Sequence, residues 1–329
     1  MFFLKLLENR IFPVVLIVTF LFLILYSLLA SLGILIPNES QQTIGDISRW
    51  CERISGSIFR EPVNALSNLG YMVAGLFMFY VLSRESRKPR LFNQFYGLNS
   101  KAVVYASVTV FLGVGSLLMH GTNTDWGGWA DNLSMIMYIT LPWLINVGEM
   151  GKWSKKKFWI IYTLIILIYA FSRWFWGANL GINLDLFKLS IALWIISEML
   201  FRFWTPLFRY FSGLIGFVVA AVFGIMPVEM FLNFDKYWWI ILFWLPALIS
   251  KNPVVKRRSY SPWFFAGVSL YVLAFYTWLQ GYPDTAFCNP DSFVQPHAIW
   301  HLLTAFSTWC FFKFLRTERS LDDDKIVTS

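Results

Sequence analysis

The chain has 329 residues, of which 57% are hydrophobic and 19% aromatic, against only 14% charged. That much apolar surface cannot be hidden in a soluble core of this length, so the composition excludes an ordinary water-soluble domain and points to a bilayer. The formal net charge of +8 does not mark a nucleic-acid binder, because Lys and Arg sit in short clusters between apolar runs; no nucleic-acid partner is expected.

The first apolar run, 11–36, is too long for the core of a signal peptide and reads as a retained transmembrane helix. Further runs long enough to cross the hydrocarbon follow at 62–82, 102–120, 130–147, 158–174, 184–201 and 211–231. Others lie at 237–250, 263–279 and 297–314; the first of these is short, and either is re-entrant or begins earlier. Basic clusters fall in every second loop: Lys5 and Arg10; Arg84, Arg87, Lys88, Arg90 and Lys101; Lys152, Lys155, Lys156 and Lys157; Arg202 and Arg209; Lys251, Lys256, Arg257 and Arg258; Lys313, Arg316 and Arg319. The loops holding Asp46, Glu52 and Glu61, and Asp284 and Asp291, are neutral, acidic or mixed.

An all-α polytopic membrane protein of about ten helices, with both termini in the cytoplasm, satisfies this alternation. The expected organisation is an N-terminal transmembrane helix in 1–40, an outer-side loop at 41–61, a multi-helix domain over 62–315 and a cytoplasmic polar tail at 316–329, with Asp322 and Lys325 in that tail. No soluble domain, low-complexity tract or repeat interrupts it. Of the three cysteines, Cys51 and Cys288 lie in loops on the same outer side and can pair if that side is oxidising; Cys310, inside an apolar run, reads as packing.

The chain has only three histidines, His120, His297 and His301. Ser116 and His120 are four residues apart, on one face of a helix leaving the membrane outward, and His297 and His301 have the same spacing at the start of the last helix. A lone membrane histidine is commonly bonded to a neighbouring carbonyl. Three imidazoles meeting at one depth, with a fourth position open, match catalytic zinc instead. Asp131 follows His120 across a short outer loop at the matching depth, although a carboxylate at a helix start also complements the macrodipole. Asp125 lies mid-loop, where solvation accounts for it. Glu198 and Glu229 inside apolar runs invite a transporter reading, but both lie near expected helix ends, where snorkelling accounts for them. Gly113 and Gly115 read as close helix contacts.

The pattern of Ser116, His120, Asp131, His297 and His301, the last followed by Leu302 and Leu303, resembles the alkaline ceramidases, part of a superfamily of seven-helix membrane hydrolases that includes the adiponectin-type receptors. Trp50, Cys51 and Glu52, then Glu61, Pro62, Val63 and Asn64, then Ser67 and Asn68, are similar to the ceramidase branch in particular. The resemblance spans about 50–314. It implies a zinc ion on His120, His297 and His301, and hydrolysis of the N-acyl amide of ceramide to a fatty acid and a sphingoid base. By the same resemblance Asp131 is the general acid and base, and Ser116 either donates to the oxyanion or supports a ligand from behind. The substrate is then a lipid taken from the membrane. Hydrolysis of another N-acyl lipid or an ester, and a receptor or scaffold with structural zinc, are the alternatives.

The seven-helix core plus the N-terminal helix, and two more helices between Asp131 and His297, again make about ten. Animal members of the family bind calcium around the Trp-Cys-Glu segment; here Arg49 and Ile54 stand at two expected ligand positions. Glu52 and Glu61 remain, and Arg49 or Arg53 is expected to supply the positive charge that calcium supplies elsewhere. The zinc site is expected on the outer, periplasmic or lumenal, side. Arg49 and the ending Thr328, Ser329, which is no retention signal, point to a bacterial inner membrane.

Overall fold

The structure, a computed structural model, describes residues 10–35, 42–85 and 93–320. Lys5, Arg87, Lys88, Arg90 and the tail residues 322–329 lie outside the described residues. The chain is an all-α polytopic membrane protein. Among the described residues six helices are long and apolar enough to cross a membrane: Ile11–Ser31, Pro62–Glu85, Ser100–Thr122, Asp125–Met150, Lys155–Trp176 and Pro296–Leu315, with a shorter apolar helix at Trp263–Leu279.

Helix α1 (Ile11–Ser31) is a run of Val, Leu, Ile and Phe in which Thr19 Oγ1 and Ser27 Oγ donate back to Val15 O and Leu23 O, at 2.8 and 2.9 Å. Its hydroxyls therefore present no unpaired donor to lipid. The short α2 (Pro62–Ser67) leads into α3 (Leu69–Glu85), followed by α4 (Ser100–Thr122) and α5 (Asp125–Met150). Pro62 at the start of α2 costs no hydrogen bond there, and the Asn99 side chain caps α4 by accepting from Lys101 N.

The chain divides into two compact units, Met1–Ser134 with Arg258–Ser329, and Met135–Arg257. In the first, α3 packs on α4, and α14 (Pro296–Leu315) packs on both α3 and α13 (Trp263–Leu279); α1 lies against α3, and α2 against α4 and α14. Tyr105 Oη donates to Thr308 O at 3.0 Å and Ser307 Oγ to Gly267 O at 2.8 Å, so polar side chains join the helices where lipid offers no hydrophobic drive. Gly113 and Gly115 serve contact, as expected. A Cβ on Gly113 would lie 2.7 Å from Asn68 O, and one on Gly115 2.6 Å from Ala130 O.

The second unit holds the remainder of α5, then α6 (Lys155–Trp176), α7 (Leu186–Phe203), α8 (Pro206–Phe211), α9 (Leu214–Val222), α10 (Pro227–Leu232), α11 (Phe234–Tyr237), a 3-10 stretch at Trp238–Trp244, and α12 (Leu245–Ile249). The run expected as one helix over 211–231 is thus divided: Gly224 takes a φ of +79° and Pro227 restarts the chain as α10. The run at 237–250 is likewise a 3-10 stretch and one short helix. Glu198 does not snorkel. It is buried on α7, and Asn146 Nδ2 donates to its Oε2 at 2.9 Å. Glu229 accepts from Tyr237 Oη at 2.6 Å, so both acids have partners inside their own unit.

Because Gly115 meets a backbone carbonyl on α5, which cannot rotate away, Gly115→Val is expected to lower stability by about 1–3 kcal/mol. Thermal unfolding of the purified variant in detergent checks this, and an unchanged melting temperature would contradict the packing.

Candidate metal centre

The three histidines come together. His120 lies in the last turn of α4, which stops where Asn123 adopts a left-handed conformation (φ +51°) and its N–H returns to Met119 O at 2.8 Å. His297 and His301 occupy successive turns at the start of α14, where Pro296 fits the first helical position. All three are buried, and one nitrogen of each lies within 4.8 Å of the others. Nε2 of His120 and Nε2 of His297 are 3.2 Å apart.

Two of the rings are held from behind. Glu61 Oε2 is 2.9 Å from His120 Nδ1, and Asn64 Nδ2 donates to the same oxygen at 2.8 Å. A carboxylate there accepts the Nδ1 proton and leaves the Nε2 lone pair exposed. Ser67 Oγ donates to Asn64 O at 2.7 Å and lies 2.8 Å from His301 Nδ1. Its single proton is spent on the carbonyl, so it accepts from His301 Nδ1–H and turns that ring's Nε2 into an acceptor as well. The His297 ring is stacked on Trp50, with centroids 4.1 Å apart, and its buried Nδ1 has no hydrogen-bond partner.

The donor set fits a metal ion. Three buried imidazoles with one nitrogen of each within 4.8 Å of the others can share a single cation, and the lone pairs that Glu61 and Ser67 leave on Nε2 of His120 and His301 are the donors it would take. Three histidines with the backing of Glu61 and Ser67 are the donors zinc takes in hydrolytic sites.

Ser116, one turn deeper on α4, is buried with its Oγ 3.4 Å from His301 Nε2. Asp131 is half-buried on the first turns of α5, and its charge acts on both His120 and Tyr71. Tyr71 Oη is hydrogen-bonded to Thr304 Oγ1, one turn beyond His301 on α14. Asp125 is exposed, but it stands at the first residue of α5 and not in mid-loop as expected; a carboxylate there complements the helix end.

The loop before α2 differs from expectation. Neither Arg49 nor Arg53 serves Glu52 and Glu61: Arg53 forms a two-pronged pair with Asp291, at 2.7 and 2.9 Å, and Arg49 lies over the Trp50 ring, 4.7 Å from its centroid. Glu52 instead accepts from Val63 N and Asn64 N, at 2.7 and 2.8 Å. It thereby caps α2 with negative charge where free N–H groups gather; burial pushes its carboxyl up, and those two hydrogen bonds oppose the shift. Ile54 is buried apolar packing. Cys51 and Cys288 are joined, and Arg53 N donates to Pro290 O at 3.0 Å, so the loop carrying Trp50 is fastened to the segment that enters α14. Sequence reasoning singled out Glu61 and Ser67 only as members of a motif and assigned neither to a histidine. A carboxylate before Pro62 and a hydroxyl at the end of the short helix that follows are weak signals by themselves.

A model of the Ceramidase family matches residues 47–328. No curated protein matches the chain.

Removing the support behind His120 is expected to weaken metal binding: Glu61→Gln should lower zinc affinity by about 10- to 100-fold, measured by competition with a chelator. The Arg53 hydrogen bonds hold the Asp291 carboxyl below its ordinary range. The stability this pair contributes is therefore complete above the ordinary Asp range and is lost as pH falls through the lowered value. Asp291→Asn should remove that part of the acid dependence in thermal unfolding between neutral and acidic pH.

Proposed function

As the chain belongs to the Ceramidase family, we propose that this hydrolase is zinc-dependent and cleaves the N-acyl amide of a ceramide-like membrane lipid, releasing a fatty acid and a sphingoid base. The observation that carries the reading is the convergence of His120, His297 and His301 on one buried point, with Glu61 and Ser67 turning two of the rings toward it.

Zinc, when bound by the three histidines, supplies a Lewis acid for the amide carbonyl and lowers the pKa of water to about 7. Asp131 takes the proton of the attacking water and returns it to the leaving nitrogen as the C–N bond breaks, so the amine departs neutral; such a role is worth about 10²- to 10⁴-fold. Ser116 Oγ, directed at the histidine cluster, donates to the oxyanion of the tetrahedral intermediate. It is not the nucleophile in this scheme, because imidazoles engaged as ligands cannot serve as its base. Trp50, stacked on His297, holds that ring in plane and shields it from water.

The site is assigned to the outer, periplasmic or lumenal, side of the membrane, with both termini in the cytoplasm, because the basic clusters lie in alternate loops. A scissile amide at headgroup depth with alkyl chains below it suits a centre at helix ends. On this reading the family core over 62–315 is preceded by the extra helix α1 and the loop at 41–61.

Purified protein is expected to contain about one zinc per chain and to release fatty acid from a defined ceramide. His297→Ala should lose metal and activity together. Asp131→Ala should keep zinc and lose activity by at least about 10²-fold, and Ser116→Ala should lose about 10²- to 10³-fold. Absence of zinc, or full turnover by Asp131→Ala, would sink the mechanism.

A further inference from the structure

The turn between α13 and α14 is held at several points, yet it presents large apolar side chains that the protein leaves uncovered. Phe287, Phe293 and Val294 are 63, 92 and 68% exposed. Around them Cys288 is joined to Cys51, Arg53 N donates to Pro290 O at 3.0 Å, and the Arg53 side chain pairs with Asp291. The buried Gln295 side chain donates to Asn289 O and Ser292 O, at 3.0 and 2.8 Å, and Val294 N donates to Ser292 Oγ at 2.9 Å. A backbone tied in this way leaves Phe293 little freedom to turn back onto the protein. In water these side chains would forgo the gain of burial, and a group of them on one surface marks contact with another molecule or a membrane.

We propose that Phe293 and Val294, with Phe287, insert into the membrane leaflet level with the metal centre and form the lip over which the lipid substrate reaches the histidines. Delivery of substrate rests on the lipid amidase activity proposed above, whereas insertion does not depend on it. Phe293 stands three positions before the first residue of α14, and His297 is the second residue of that helix. The leaflet that receives Phe293 is therefore the one whose headgroups lie beside the metal centre.

Lipid is favoured as the occupant because the exposed apolar surface continues into the helices on either side. α14 is long and apolar enough to cross the membrane and exposes Leu302 and Phe306; the apolar α13 exposes Leu273 and Tyr276 and ends at the exposed Leu279. Side chains at the ends of such helices lie at the boundary of headgroups and acyl chains, where inserted aromatic and aliphatic groups anchor a surface. The segment 281–295 holds no Lys or Arg, so its attraction is to the apolar part of the leaflet and not to anionic headgroups.

The test uses full-length protein in phosphatidylcholine nanodiscs and has two readouts. A spin label on Phe293→Cys, in a Cys310→Ala background, is expected to be reached by oxygen in preference to a water-soluble nickel complex, as a label on Phe306→Cys would be. The opposite preference, that of a label on the exposed Asp284→Cys, would overturn insertion. Phe293→Ser should lower turnover of a long-chain ceramide in the nanodisc by about tenfold, with zinc content and turnover of a water-dispersed short-chain ceramide unchanged, and Phe293→Leu should restore the loss. Equal loss on both substrates, or no loss on either, would overturn the delivery role. A wild type that hydrolyses neither ceramide would overturn the amidase activity and delivery with it, while the spin label would still decide insertion.

Discussion

Three buried imidazoles gathered on one point set the terms for the rest of the first unit. Polar rings in a low-dielectric bundle are costly to leave unsatisfied, so their orientation depends on what their other edges meet. Glu61 and Ser67 fix two of them through Nδ1, and the third, His297, is held by the face of Trp50. Each support comes from the stretch between Trp50 and Ser67, while the rings come from α4 and α14. The loop before α2 is thus part of the centre and not a cover over it.

That dependence explains how heavily the loop is fastened. Glu52 binds the start of α2, and its charge complements a helix end that would otherwise hold unpaired N–H groups. The disulfide joins Cys51, next to Trp50, to Cys288 in the segment entering α14. Cross-linking positions 237 residues apart restricts the unfolded chain strongly in the chain-entropy account. Arg53 adds a surface pair with Asp291, which is worth little by itself and more as one of several ties across the same junction. Tyr26, which donates to Ile58 O and stacks on Phe59, extends the same fastening to α1 and makes that helix a neighbour of the segment that carries Glu61.

In the second unit the two acids that lie inside apolar runs each have a local donor. Glu198 and Asn146 satisfy each other, and Glu229 and Tyr237 do the same; an acid with a local donor needs neither a transport pathway nor an escape to the interface. The break between α9 and α10 follows from Gly224 and Pro227, which interrupt an apolar run whose hydropathy by itself reads as one helix.

The amino-acid sequence by itself determined the solvent of this protein and which side chains could share a metal ion. Apolar runs of bilayer length leave no other environment, and three histidines at the ends of two such runs, two of them one turn apart, mark a shared depth. Only the tertiary structure decided what stands behind each ring, because Glu61 and His120, or Ser67 and His301, are distant in sequence and meet only when α2 packs between α4 and α14. It also decided that Arg53 turns to Asp291 and that Arg49 lies on Trp50. Apolar periodicity and length report on contact with the solvent, whereas the pairing of charged side chains is fixed by which backbone segments lie side by side.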